Sequence, residues 1–193
     1  MLVDVRGYTD MSILGATRDD AAGECFDKIA RVLGLPYPGG KPMQDLAEGG
    51  DDTKYPLPRA KVAGNDLDMS FSGLKTAAVN LIHNAHQKGE ALDRSGLAAS
   101  VAAAISDELV PRAMEAARRT GRRVLVAAGG VAANSTIRGD LERACRENGL
   151  ELYLPPLRLC GDNGAMIASQ AYYEYLAGNR GGASLNAYAN LEI

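Results

Sequence analysis

The chain has no tryptophan, and aromatic residues make up only 5% of its 193 residues. A core built on bulky rings is excluded. Cysteine occurs three times, at Cys25, Cys145 and Cys160. The number is odd, the spacing is wide and no C-x-x-C pair is present. That pattern favours reduced thiols in a cytoplasmic protein over a disulfide or zinc framework. No apolar run approaches the roughly 20 residues that span a bilayer, so no membrane association is expected. The opening residues, Met1-Leu-Val-Asp-Val-Arg6, are too short and too charged for a signal peptide. An excess of positive charge is also missing. The 21 Lys and Arg stand against 24 Asp and Glu, a net charge of −3, so charge alone advertises no large nucleic-acid face.

What is abundant is small and apolar. Hydrophobic residues are 46% of the chain, many of them Ala, and Gly occurs 22 times, a mix suited to helices lying close on a sheet. The length fits one domain with a sizeable core. Residues 1–5 and 11–14 read as strands joined by a turn at Gly7-Tyr-Thr-Asp10. Residues 18–34 read as a helix, capped by Thr17 or Asp19 and ended by Gly34. Ala22, Phe26, Ile29 and Leu33 form its apolar stripe, and Asp20, Glu24, Asp27 and Arg31 a polar one. Leu35-Pro-Tyr-Pro-Gly-Gly-Lys-Pro42 forces a loop, with Pro42 well placed to open a short helix. Residues 49–69, with Pro56 and Pro58, read as a disordered stretch or an exposed flap. One helix is expected from near Ser72, its cap, to about Lys88, and another from about Leu92 to Arg119. Pro111 is expected to break or kink the second. Strand 123–128, helix 132–147, strand 151–154, a Pro-rich loop 155–161 and helix 162–177 complete the order, before an irregular tail over 178–193. Strand, loop and helix twice in succession argue for an α/β domain, a parallel sheet flanked by helices.

Chemistry concentrates where side chains are smallest. Gly129-Gly130 follows a buried-strand run and precedes a helix, so a ligand could approach the backbone and the positive end of the helix dipole. Asn134, read as one turn into that helix, has an amide that both donates and accepts. The same residues would equally make a tight turn with a polar surface side chain. Neither a P-loop nor a full dinucleotide fingerprint is present. Gly39-Gly40 offers a second open backbone, and Asp27 a carboxylate for two ribose hydroxyls. Asp162 opens a predicted helix; on its own it reads as an N-terminal carboxylate worth about 1 kcal/mol. His83 and His86 share a helix face, yet they sit in a polar helix end with no acid before Glu90 and read as surface residues. Lys75 points either to phosphate or to solvent. Arg118, Arg119, Arg122 and Arg123 suit a helix C-terminus and, secondarily, nucleic-acid phosphates.

Five motifs in one order go further. They are Thr17-Arg-Asp-Asp-Ala-Ala-Gly-Glu24 with Phe26-Asp27-Lys28, Tyr37-Pro-Gly-Gly40, Ser70-Phe-Ser-Gly-Leu-Lys-Thr76, Ala128-Gly-Gly-Val-Ala-Ala-Asn134 and Cys160-Gly-Asp-Asn-Gly-Ala-Met-Ile-Ala168. This series resembles the later part of the TsaD (Gcp) family, formerly described as O-sialoglycoprotein endopeptidases. The resemblance implies an actin-like ATPase (ASKHA, ribonuclease H-like) fold. It also implies transfer of threonylcarbamoyl from threonylcarbamoyl-AMP to the N6 amine of the adenosine next to the anticodon of tRNA. Residues 1–193 would then be one unit, without the lobe segment that carries the family's metal-binding His-x-x-x-His, and inactive alone. Asp27, Gly40 and Asn134 match nucleotide contacts, and Gln44 stands where an acid is common. Asp162 matches a ligand to Fe or Zn, with Gly161 in place of the usual Thr before it. ATP, AMP or threonylcarbamoyl-AMP would be the nucleotide; tRNA and TsaB-like and TsaE-like proteins the partners, with a homo-oligomer open. Two alternatives are a metalloendopeptidase, for which H-E-x-x-H is missing, and a non-catalytic nucleotide-binding module.

Overall fold

The computed structural model describes residues 1–186. A hairpin of β1 (Leu2–Gly7) and β2 (Asp10–Gly15) comes first, antiparallel, with Val3 opposite Ile13 and Val5 opposite Met11. Four helices follow: α1 (Ala22–Val32), α2 (Gly40–Ala47), α3 (Ser72–Lys88) and α4 (Arg94–Thr120). Then come β3 (Val124–Val126), α5 (Ser135–Asn148), β4 (Glu151–Tyr153) and α6 (Gly164–Leu176). Short 3-10 turns at Gly130–Ala133 and Leu157–Leu159 lead into α5 and α6. The α/β reading holds, and β3 and β4 pair in parallel, Leu125 beside Leu152. The strands nonetheless form two separate two-stranded sheets. Residues 178–186 have no regular element, and 187–193 of the expected irregular tail lie outside the described residues.

Helix α4 is the centre of the core. Leu97, Val101 and Ile105 repeat every fourth residue and are fully buried, and Val110, Ala113, Ala116 and Ala117 continue the buried surface. Small residues here let α2 and α5 pack closely along it. Pro111 does not break the helix, which runs unbroken from Arg94 to Thr120. An interior proline costs about 3 kcal/mol. Buried contacts on both sides of it outweigh that cost, each large apolar side chain contributing about 1.5–3 kcal/mol.

The stretch 49–69 is irregular but is not a flap. Leu57, Leu67 and Met69 are buried. Ala60 N–H donates to Glu108 Oε1 at 2.5 Å, and Arg112 Nε donates to the Asp68 carbonyl at 2.9 Å. Asp68 in turn accepts from Ala16 N–H at 2.9 Å and from Arg18 Nε at 2.5 Å. Glu108 is 2% exposed; Arg112 Nη1 sits 2.7 Å from its Oε2 as an ion pair whose angle is not that of a hydrogen bond. The prolines thus prevent regular structure while α4 holds the segment down.

Two places keep large apolar side chains exposed. Helix α6 buries none of its residues, and Met166, Ile167, Tyr172, Tyr175 and Leu176 are exposed. So are Val124, Val126 and Tyr153 on β3 and β4. Tyr173 stacks on Tyr8 at 3.6 Å between ring centroids, and Gln170 Nε2 donates to the Tyr8 carbonyl at 2.8 Å, which ties α6 to the hairpin turn.

Candidate nucleotide site

Gly23 and Asp27 lie four residues apart and so share one face of α1. On that face the space beside Gly23 is filled by Val131 of the first 3-10 turn, 3.5 Å from where a Cβ would stand. Asp27 Oδ1 accepts from Gly39 N–H at 2.7 Å. Gly39 is buried, and a Cβ there would run into Ala30 and the Asp27 backbone, so packing requires glycine at this position. Gly40 begins α2. One turn further, Gln44 Oε1 accepts from Ser135 N–H, the first residue of α5, at 2.9 Å. These contacts gather α1, the start of α2, the Gly129 turn and the start of α5 in one place.

The structure corrects the place of Asn134 and gives Asp27 a partner within the chain. Asn134 is not inside the helix; it is the N-cap of α5, with Oδ1 accepting from Thr136 N–H at 3.0 Å and Ile137 N–H at 3.2 Å. Capping of this kind contributes about 1 kcal/mol. It engages the oxygen, so the Nδ2 group is what Asn134 has to offer a ligand. Asp27 likewise has one oxygen committed to Gly39, which leaves Oδ2 as its free acceptor. Gly129 adopts φ +90°, a conformation that requires glycine. Gly40 and Gly130 differ: a Cβ at either would meet nothing within 4 Å. The chain's own packing asks for no glycine there. What results is an open backbone, a helix N-terminus, two amide side chains and a carboxylate, a set suited to an anionic ligand that also carries hydroxyls.

A second cluster was only partly legible. Lys75 does not point into open solvent but pairs with an acid. Its Nζ is 2.6 Å from Asp20 Oδ2, while Lys28 Nζ is 2.8 Å from Asp20 Oδ1 and 2.7 Å from Glu24. The lysine hydrogen bonds, Lys28 first, hold the Asp20 carboxyl below the usual range. Asp19 does not cap α1, whose N-cap is Ala21 without a side-chain bond. It caps α3 instead, accepting from Phe71 N–H at 2.8 Å and Ser72 N–H at 3.2 Å. Nor does Ser72 act as that helix's cap: its hydroxyl donates to Asp19 at 2.6 Å, as the Ser70 hydroxyl does at 2.5 Å.

Asp162 is exposed, between the second 3-10 turn and α6, and Asn163 rather than Asp162 is the N-cap, accepting from Met166 N–H at 3.0 Å. Among the described residues no group of three or more His, Cys, Asp or Glu could hold a metal ion. The residues present therefore do not by themselves fit the expected Fe or Zn. His83 and His86 are exposed on α3, as expected. Of the four clustered arginines, Arg118 pairs with Glu115, Arg119 with Glu115 and Asp66, and Arg122 with Asp4. Those acids neutralise most of the basic patch. No described helix is long and apolar enough to cross a membrane.

Comparison with known proteins decides the family. The family model "TsaD: tRNA N6-adenosine threonylcarbamoyltransferase" matches residues 1–169. The chain belongs to the TsaD family. A tRNA N6-adenosine threonylcarbamoyltransferase of Moorella thermoacetica is 48% identical over 192 residues, covering 100% of this chain and 56% of the relative. Relatives of the same name from Streptococcus suis, at 47% identity, and Clostridium botulinum, at 42%, are each also covered over 56% of their length. The chain thus spans about half the length of the curated relatives it matches. All five TsaD motifs noted in the sequence fall within the matched residues.

Proposed function

We propose that this chain, residues 1–193 as one unit, is the nucleotide-holding part of a tRNA N6-adenosine threonylcarbamoyltransferase with an actin-like (ASKHA) fold. One observation carries the reading. Asp27 on α1 binds the Gly39 N–H beside Gly40, and Gln44 on α2 binds the Ser135 N–H next to Asn134, at the N-terminus of α5 into which the Gly129-Gly130 turn leads. The ligand class is ATP, AMP or threonylcarbamoyl-AMP. Asp27 Oδ2 accepts from a ribose hydroxyl, Asn134 Nδ2 donates to an acceptor of the nucleotide, and the glycine backbones admit it at close range. In the transfer, the N6 amine of the tRNA adenosine attacks the carbamoyl carbon. The new C–N bond forms, the bond from that carbon to the phosphate oxygen breaks, AMP leaves and the amine gives up a proton. This chain's part is to hold and orient the adenylate, a positioning contribution.

A metal, Fe or Zn, would add Lewis-acid polarisation of the carbonyl when bound. Asp162 is the one residue here offered as a ligand, and the described residues contain no group of three or more that could complete a metal site. The exposed apolar side chains of α6 and of β3 and β4 support a larger assembly, since the relatives have further chain beyond the stretch matched. tRNA, TsaB-like and TsaE-like proteins are the partners, a second copy of the chain a further one, and the cytoplasm the setting.

The test is an AMP titration of the 15N-labelled chain. Amide shifts are expected at Gly40, Gly129, Gly130 and Ser135, with weak affinity because part of the relatives' chain is not present. Shifts confined to residues away from these four would overturn the site.

A further inference from the structure

Arg138 sits in the first turn of α5, where a cation opposes the helix dipole. Such a residue invites the reading of a phosphate ligand, but its donors point elsewhere. Nη1 donates to the Ala132 carbonyl at 2.7 Å and lies 3.8 Å from Cys160 Sγ; Nη2 donates to the Pro155 carbonyl at 3.0 Å. Ala132 belongs to the turn between Gly129 and Asn134. Pro155 and Cys160 bracket the loop that leads into Asp162. Cys160 is itself buried, its thiol 3.9 Å from the Pro155 carbonyl and 3.8 Å from that of Pro156. Among the described residues, no other side chain joins these two segments by a hydrogen bond.

A guanidinium is a planar fork whose donors keep fixed directions, so two carbonyls bound to one fork are held in a fixed relation. A lysine ammonium has no such plane. From this geometry we infer that Arg138 is a positioning residue: it locks the nucleotide-facing turn, Gly129–Asn134, to the loop 155–162. Occupancy of the turn is thereby felt at Asp162. The inference rests on the nucleotide reading of the turn. It assigns Arg138 no contact with the ligand.

Two measurements on the chain test it, using Arg138→Lys and Arg138→Met. The first is amide hydrogen exchange at Leu159 and Cys160, whose N–H groups bond to the Pro156 and Leu157 carbonyls. Both variants are expected to raise exchange there about tenfold, the loss of one or two charge-assisted bonds, with α4 amides unchanged as the control for folding. The second is AMP titration. In the wild type, shifts are expected at Gly129 and Gly130 and also at Cys160–Asn163. In the variants the first set stays and the second is lost. No shift at Gly129 or Gly130 in the wild type overturns the nucleotide reading and this inference with it. Shifts at those glycines without any at Cys160–Asn163, or a Cys160–Asn163 response that survives in Arg138→Met, overturn the inference alone. If Arg138→Met loses α4 protection, Arg138→Lys decides, since it keeps the charge and removes only the fork.

Discussion

Asp19 offers the most direct test of how the first motif works. Its carboxylate ties the segment before α1 to the start of α3 through four donors: the hydroxyls of Ser70 and Ser72 and the amides of Phe71 and Ser72. Burial raises its pKa, but these four bonds, Ser70 first, outweigh burial and bring it down from 3.8 to about 2. Taken in full, that shift corresponds to about 2.5 kcal/mol. Asp19 is exposed, and solvent screening reduces the figure to about 1 kcal/mol. The sign follows from the depressed pKa. The contribution is fully present above the unfolded value near 4, and it is lost as pH falls toward 2. About half should be gone by pH 3. The assay is urea unfolding of wild type and Asp19→Asn at pH 6 and pH 3. Asparagine keeps an acceptor but has no charge to titrate. At pH 6 the wild-type midpoint should lie about 0.5 M higher, given a slope of about 2 kcal/mol/M. At pH 3 the gap should close to about half. A gap that stays constant between the two would refute the argument, because the bonds would then not depend on the charged form.

Other expectations follow from the site. Gly129→Ala should destabilise the chain by about 1 kcal/mol or more through its positive φ, whereas Gly130→Ala should leave the melting temperature unchanged and weaken AMP binding; equal effects on stability would contradict the open space beside Gly130. Gln44→Glu places a carboxylate against Ser135 N–H at the positive end of α5 and should raise stability by about 0.5 kcal/mol in thermal melts; a lower melting temperature would count against the Gln44–Ser135 link. In a longer protein that includes this chain, Asp162→Ala should remove retained metal, measured by elemental analysis, and stop transfer to tRNA. It should shift stability by less than about 1 kcal/mol, because Asn163 supplies the cap.

Most of the element order was legible, because it rests on local signals. Among the described residues, the hairpin, the six α-helices and the parallel pair of strands each follow from periodicity, glycines and prolines within a short window. Three of the misreadings share one cause, which is that the deciding partner lies far away in sequence. Asp19 stands next to α1, and a cap for α1 is the natural local reading. Its partners at Phe71 and Ser72 are more than 50 residues away, and with Asp19 drawn to them α1 starts only at Ala22. Residues 49–69 are polar and broken by proline, which locally means mobility, yet Glu108 and Arg112 on α4 hold them in place. Lys75 looked unattached because Asp20 is 55 residues before it.

The candidate site shows the same division and makes its chemistry sharper. Two glycine pairs after loops or strands are a local signal, and the Gln44–Ser135 bond brings the elements that follow them together. What each polar side chain can donate or accept depends on backbone partners that the glycine pattern does not show. A 3-10 turn intervenes before α5, so the helix starts at Ser135 and Asn134 becomes its cap. That small change of register converts Asn134 from a group that accepts or donates into one that donates. In the same way Gly39 takes one oxygen of Asp27, and Ser135 takes the oxygen of Gln44. Three of the side chains nearest the glycines are therefore already oriented by the backbone before any ligand arrives. Each has one atom fixed and one left over: a carboxylate oxygen on Asp27 and an amide NH2 group on Gln44 and on Asn134. An acid at position 44 would have left an oxygen there. In the proposed nucleotide reading, glutamine adds a donor at position 44 that an acid would not supply, so Gln44 Nε2 is matched to an acceptor of the ligand and Asp27 Oδ2 to a hydroxyl.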